Sequence, residues 1–356
     1  MNIINHYNEI GKGNMKATRT NFMDKVGEAS VRDIVKEVLL GENVRDFTEF
    51  ITQKRLIDSY SAMLDLYMKH IGKYTESIDE FSEYIMEDYF NTRGKDKKLL
   101  NLWLLGLTSK GLDNITRDNL DTYHYSFSTS MEEIVENLET EYGELSGTIE
   151  LQGGSLELNW NILSLLFLAV GAQTLTIRGS AKSMNGKMFE KLILGTLLKI
   201  MGFTYLPEPP GTVRRRERIF WLSNMDENER ETDATVAYNG KAVSIDIGFI
   251  GKGNPEITLD KVTRFGAYKE IGGLPHDMET IIIVDTVAEN SDLINKAERV
   301  NGHVLQMKNK DWTINFARTL CEIMQFRHEL EDQRVEDLKA YYDERLPEIN
   351  MREFIW

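Results

Sequence analysis

The chain has 356 residues, a formal net charge of −15 and a single cysteine. That length fits two domains, or one large domain with a helical appendage, and one cysteine excludes an intrachain disulfide, which points to a reducing cytoplasm. The charge at first argues against a nucleic-acid partner, but what matters for such binding is local clustering of base. From Thr176 to Trp221 there are nine Lys/Arg against three Glu, while acids gather elsewhere, as at Glu132, Glu133, Glu136, Glu139, Glu141 and Glu144.

In chain order, residues 28–112 read as helical, with apolar residues at helical spacing in Leu56, Tyr60, Met63, Leu64, Tyr67 and Met68 and no proline. Asn91 to Lys98 is a polar, basic break. Residues 113–158 look less regular and end in two strand-like pieces turned at Gly153-Gly154. Asn159 to Gln173 is expected as a buried helix, Thr174 to Arg178 as a short strand, and Ser183 to Met201 as an amphipathic helix burying Phe189, Ile193, Leu197 and Ile200. The most apolar run, Ile162 to Ala172, is shorter than the ~20 residues a bilayer needs, so no spanning helix and no membrane association are expected. A signal-peptide pattern is absent.

Pro207, Pro209 and Pro210 mark a loop. Strands are expected at Arg218–Leu222, Thr232–Tyr238 and Lys241–Ile250. A helix from Pro255 to about Glu270 starts with Asn254 as cap and Pro255 at its first position. A buried strand at Thr280–Val287, a helix at Ser291–Val300, a strand at His303–Met307 and a long helical tail from Asp311 to about Arg345 complete the chain. This order gives an α/β (α+β) class with a mixed central sheet flanked by helices. The expected domains are 1–145, mainly helical, and 146–356.

The chemistry concentrates in ETDATVAYNGKAVSIDIGFIGKGNPE, Glu231 to Glu256. Asn239-Gly240 between two β-rich runs is a strong hairpin signal. A two-residue turn pairs Tyr238 with Lys241, and stepping outward in that register sets Asp233 opposite Asp246. Like charges directly across a ladder destabilise it, with Cβ atoms about 4.5–5.5 Å apart. A divalent cation resolves the repulsion, and carboxylates suit a hard ion such as Mg²⁺. The competing reading is an exposed hairpin with solvated acids. The apolar Val236, Val243, Ile245, Ile247 and Ile250 speak against it, since buried carboxylates are costly without a cation.

Two carboxylates about a dozen residues apart on adjacent strands, downstream of a helix carrying a Glu, resemble the PD-(D/E)XK nuclease superfamily. GSAKSMNGKMFEKLILGTLLKIMGF is similar to the first core helix of its type II restriction endonucleases, and IDIGFIGKGNPEITLDK to their metal-binding strand and the helix after it. The resemblance covers roughly residues 160–325, and element order carries much of its weight. It implies a restriction-endonuclease-like core in which Asp233 and Asp246 are catalytic Mg²⁺ ligands assisted by Glu190. Thr232 stands where proline is common. Gly248 stands where a lysine should support the attacking water and offset charge. Lys252 keeps the strand's alternation and is preferred as its replacement, with Lys261 and Lys187 as rivals. Glu190 also reads as a surface partner of Lys187 and Lys191.

Arg214, Arg215, Arg216 and Arg218, with Lys187, are candidate DNA contacts, since arginine forks pair with phosphates or guanine edges; a solvated basic loop is the other reading. The resemblance implies site-specific cleavage of double-stranded DNA by a homodimer, each subunit cutting one strand of a palindrome. A cognate DNA methyltransferase is then expected genetically, not as a bound partner. A repair or structure-specific nuclease, and a non-catalytic DNA-binding protein on the same scaffold, are the alternatives.

Overall fold

The structure is a computed structural model and describes residues 2–15, 23–24, 26–110, 120–151, 154–212, 214–223, 232–248, 268–271, 273–286 and 302–355. The chain divides into two compact units: Met1–Thr18 with Phe50–Ser183, and Arg19–Glu49 with Met184–Trp356. The later boundary falls at Ser183, beyond the cut near residue 145, and the early segment Arg19–Glu49 clusters with the C-terminal unit.

The first unit is helical. It holds the helix Val44–Leu66 from Phe50 onward, the helices Ile78–Asn91, Lys95–Leu104 and Leu120–Tyr142, and a two-stranded hairpin that pairs β1 (Gly147–Leu151) with β2 (Gly154–Leu158). Its core gathers Tyr7, Leu66, Phe81, Ile85, Trp103, Phe127, Leu165 and Ala169. The helix Leu120–Tyr142 replaces the irregular stretch expected there. Ser82 Oγ lies 2.9 Å from Ser128 Oγ and 2.8 Å from His124 Nε2, so the helix's polar residues bond inward to Ile78–Asn91.

The segment Trp160–Ile200 is one continuous helix, and the strand expected at Thr174–Arg178 does not form. Thr174 Oγ1 donates to the carbonyl of Val170 at 2.6 Å, and Thr176 Oγ1 to that of Ala172 at 3.0 Å. These hydroxyls find partners one turn back, which keeps β-branched residues in a helix. Gln173 and Ile177 are buried on the same run, so tertiary packing decides against the local strand preference. Continuity also corrects the expectation about apolar length. This helix is long and apolar enough to cross a membrane by length and composition alone, with an 18-residue window of mean hydropathy 1.6. A core helix meets the same criterion, and Leu165, Ala169 and Ile177 are indeed buried.

Buried in the first unit, His70 stacks on His6 with ring centroids 3.7 Å apart, and its Nε2 lies 2.7 Å from the Tyr84 hydroxyl. Burial, with the charges of His6 and Lys73, pushes its pKa down from 6.5 to about 4. A histidine held neutral in the fold binds its proton more readily when unfolded, so it stabilises above about pH 6.5 and that contribution is lost as pH falls towards 4. The melting temperature of the wild type is therefore expected to fall across this window, with a shallower slope for His70→Gln. Equal slopes in thermal melts at pH 4.5, 5.5 and 6.5 would remove His70 as the cause.

Among the described residues the second unit holds a seven-stranded mixed sheet. Its strands are β3 (Thr204–Tyr205), β4 (Ile219–Leu222), β5 (Ala234–Tyr238), β6 (Lys241–Gly248), β7 (Tyr268–Ile271), β8 (Leu274–Val284) and β9 (Gly302–Gln306). The order is β3-β4-β5-β6-β8-β7, with β9 also on β8. β4, β5 and β6 form an antiparallel meander, and β6 runs parallel to β8. β6 is central because Val243, Ile245 and Ile247 line one face while Ala242 is buried on the other, as interior strands require. The tail is not one long helix. Trp312–Met324 ends at Gln325, whose φ of 55° is left-handed, and short 3₁₀ turns lead to Leu338–Arg345. Strand Tyr268–Ile271 takes the place of the last residues of the helix expected to reach Glu270. The remainder of that helix, and the helix at 291–300, lie outside the described residues.

Candidate functional site

Asn239 and Gly240 have φ of 56° and 78°, the two left-handed residues of a type I′ turn. Asparagine tolerates that region and glycine occupies it without steric penalty. The turn fixes the register: Tyr238 pairs with Lys241 and Ala234 with Ile245. Continued one step beyond the first residue of β5, that register sets Asp233 level with Asp246, on the face of the Thr235–Ser244 pair, since directly opposite residues point the same way.

The two carboxylates are held differently. Asp246 lies within β6, between β5 and Ile282 of β8, and is 3% exposed. Asp233 sits just before β5 and is half-buried. Its Oδ2 accepts the backbone N–H of Ile247 at 2.8 Å, and its carbonyl accepts the N–H of Ser223 at 3.1 Å. The first acid is thus tied to the residue after the second acid, which fixes their relative placement.

The other sequence candidates divide into three groups. Glu190 is half-buried and Lys187 exposed on the helix Trp160–Ile200. Among the described residues no three His, Cys, Asp or Glu side chains form a group able to hold a metal ion, so Glu190 is not gathered with the aspartates. Gly248 ends β6 beside Val284, where the motif lysine would stand. Lys252 and Lys261 lie outside the described residues.

Arg214, Arg215 and Arg216 are exposed. The carbonyl of Arg215 accepts the N–H of Asn239 at 2.6 Å, and its guanidinium lies over Gly240. The arginine loop is therefore fastened to the closed end of the hairpin, while the aspartates stand at its open end. At about 3.3 Å per strand residue the separation is roughly 20 Å. Arg218, next in the same run, packs instead over the rings of Phe326 (4.3 Å) and Tyr238 (5.2 Å). It is a packing residue, a role that its place in a basic run concealed.

Two hard-oxygen side chains anchored on adjacent strands suit a small divalent cation, which commonly takes one or two carboxylates and completes its shell with water and substrate phosphate. The CfrBI restriction endonuclease family matches residues 28–292, a span that includes the hairpin and both aspartates. The type II restriction enzyme CfrBI of Citrobacter freundii is 33% identical over 344 residues, covering 96% of this chain and 95% of that protein. No solved structure matches. A likeness that runs almost from end to end, and a family match spanning most of the chain, make this protein a member of the CfrBI restriction endonuclease family.

Proposed function

We propose that the protein is a type II restriction endonuclease that hydrolyses double-stranded DNA at a specific, palindromic site with Mg²⁺, the work being done at Asp233 and Asp246. The observation that carries this reading is the pair of opposed aspartates, one buried in the central strand and the other tied to the Ile247 N–H. An ordinary hairpin gains nothing from such a pair, whereas a metal-binding one needs it.

Mg²⁺ held there supplies charge stabilisation at a phosphoryl oxygen and a lowered pKa for a bound water. The protein's part is orientation. β6 holds Asp246 rigidly and the Ile247 N–H sets Asp233 against it; Glu190, which does not stand with them in the metal-free chain, is proposed to join them only when metal and DNA are bound. Hydrolysis forms a bond from a water oxygen to phosphorus and breaks one P–O ester bond. The positive charge that Gly248 cannot provide is assigned to Lys252, with Lys261 and Lys187 as rivals. A site-specific cutter endangers its own genome, which is why a cognate methyltransferase acting on the same sequence belongs to the proposal.

Arg214, Arg215 and Arg216 are proposed to grip the phosphate backbone away from the cut. Twenty ångströms is roughly six base pairs of duplex at about 3.4 Å each, so these arginines serve affinity. Replacing all three with alanine is expected to weaken DNA binding and to lower the slope of log K against log salt by up to about 2.7, near 0.9 for each lost phosphate contact. Cleavage at saturating DNA should change little. An unchanged salt slope in fluorescence anisotropy would return the loop to the solvated reading.

The functional test is digestion of long unmethylated DNA with Mg²⁺ or with EDTA. Discrete Mg²⁺-dependent fragments establish a sequence-specific endonuclease. A smear or end-directed degradation would favour a structure-specific or repair nuclease. Tight binding without cutting would favour the DNA-binding reading, which the glycine at position 248 keeps open.

A further inference from the structure

The first unit carries an apolar helical face that its own core does not use. From Trp160 to Ile177 there is no charged residue and no histidine. Leu165, Ala169 and Ile177 point into the core. Phe167 and Leu175, by contrast, are 63% and 69% exposed. They alternate with two exposed glycines at steps of four residues, in the row Phe167, Gly171, Leu175, Gly179. A Cβ built on Gly171 or Gly179 would meet nothing within 4 Å, so the space over each glycine is open.

This row is complementary to itself. Residues four apart form one ridge of a helix surface, and two such ridges interlock at a crossing angle near −50°. If a second copy crosses antiparallel about a two-fold axis between Gly171 and Leu175, each large residue meets a small one: Leu175 meets the partner's Gly171 and Phe167 its Gly179. A two-fold interface requires such self-complementarity. The four positions of the row carry no charge, as interface cores require, and the exposed Arg178 and Lys54 lie beside it as a polar rim would.

The neighbouring helix enlarges the patch. Tyr60 Oη lies 2.6 Å from Thr174 Oγ1, and Arg55 Nη1 lies 3.5 Å from Ser180 Oγ, so the helix Val44–Leu66 runs alongside in the opposite direction. It adds Phe50 and Ile57, 69% and 63% exposed. Aromatic side chains bury about 150–250 Å² each when fully covered and Leu and Ile somewhat less, so at these exposures the four together present roughly 500 Å². That is the size of the largest apolar patch on a typical monomer, about 300–600 Å² and often functional, and is over half of the ~800 Å² each partner contributes to a stable interface.

We infer that the face built on Phe167, Gly171, Leu175 and Gly179 is a two-fold interface with a second copy of this chain. The inference stands independently of the nuclease reading, because the association it describes needs neither DNA nor metal.

Sedimentation of the full-length protein without DNA or Mg²⁺ tests it. The wild type is expected as a dimer. Leu175→Arg, at an exposed position, should weaken association by at least about 30-fold, the effect of losing one central interface side chain, with an unchanged circular dichroism spectrum. Gly171→Leu, which fills the hole instead of removing the knob, should do the same. A second measurement reads the register. Protein carrying Gly171→Cys mixed with protein carrying Leu175→Cys should form an intermolecular disulfide faster than either alone, and the native Cys321 is buried. A monomeric wild type, or a dimer indifferent to both substitutions, overturns the proposal. So does a monomer that co-sediments with phosphatidylcholine–phosphatidylglycerol vesicles through Leu175, since the face would then meet lipid.

Discussion

Asp246→Asn is expected to lower the rate of DNA cleavage by at least about 10³-fold, some 4 kcal/mol of transition-state stabilisation at about 1.4 kcal/mol per decade. The side chain is buried in the central strand and keeps its shape in the substitution, so the loss is one of charge at a fixed place. The same change should leave the metal-free protein as stable as the wild type or slightly more so, because two like charges across a ladder repel. Mg²⁺ should raise the wild-type melting temperature, since a ligand that binds the folded state stabilises it, and should not raise that of the variant. Asp233 separates two roles. Asp233→Asn retains an oxygen for the Ile247 N–H, which now sits 2.8 Å from Oδ2, and should lose cleavage with little loss of stability. Asp233→Ala should lose cleavage and also about 1 kcal/mol for the broken hydrogen bond. Cleavage by Asp246→Asn within tenfold of the wild type would move the active site elsewhere.

How far the site could be read from sequence depends on how local its determinants are. The Asn239-Gly240 turn needs only its own backbone conformations, and once it forms, every pair out to Ala234–Ile245 follows. The register that leads to Asp233 and Asp246 was therefore legible, while their role is the proposal. The central place of β6 was legible too, from its apolar alternation. The long helix was not, because Thr174, Thr176 and Ile177 favour a strand locally. What overrides them is hydroxyl bonding to carbonyls one turn back, together with burial of Gln173 and Ile177. The helix Leu120–Tyr142 escaped for a similar reason, its serines and threonines masking a face on which Phe127 and Met131 are buried. The break at Gln325 has no glycine or proline to announce it. There the chain turns through a left-handed residue, and the Phe326 N–H closes on the carbonyl of Cys321 at 3.1 Å. The arginine run shows the limit most plainly. Four arginines within five residues look alike in sequence, yet Arg215 reaches the turn and Arg218 packs between aromatic rings, a division made by tertiary neighbours.

Phe354→Ala is expected to destabilise the second unit by about 3–5 kcal/mol, the cost of emptying a buried aromatic site. The ring is fully buried close to the C-terminus. It meets Tyr205 edge-on at 5.4 Å and Phe220 at 6.4 Å, which fixes it against β3 and β4. On its other side it covers Gly195, where an added Cβ would fall 2.6–2.8 Å from three ring carbons. The neighbouring Glu353 pairs with Lys199 at 3.2 Å, one helical turn beyond Gly195. One side chain thus joins the helix that carries Lys187 and Glu190 to the strand that leads into the hairpin. Gly195→Ala alone should cost about 1–3 kcal/mol by overpacking a rigid ring. In the Phe354→Ala background that clash is gone and alanine is the better helix former by up to about 1 kcal/mol, so the second substitution should be neutral or stabilising. A coupling above about 1 kcal/mol between the two, measured by urea unfolding, is the signature of direct contact. Additive losses would mean that the ring does not lie over Gly195. Because this contact holds the helix against the sheet that positions Asp233, Phe354→Ala should also cut DNA only at temperatures well below the wild-type limit, with cleavage disappearing in step with the melting of the second unit.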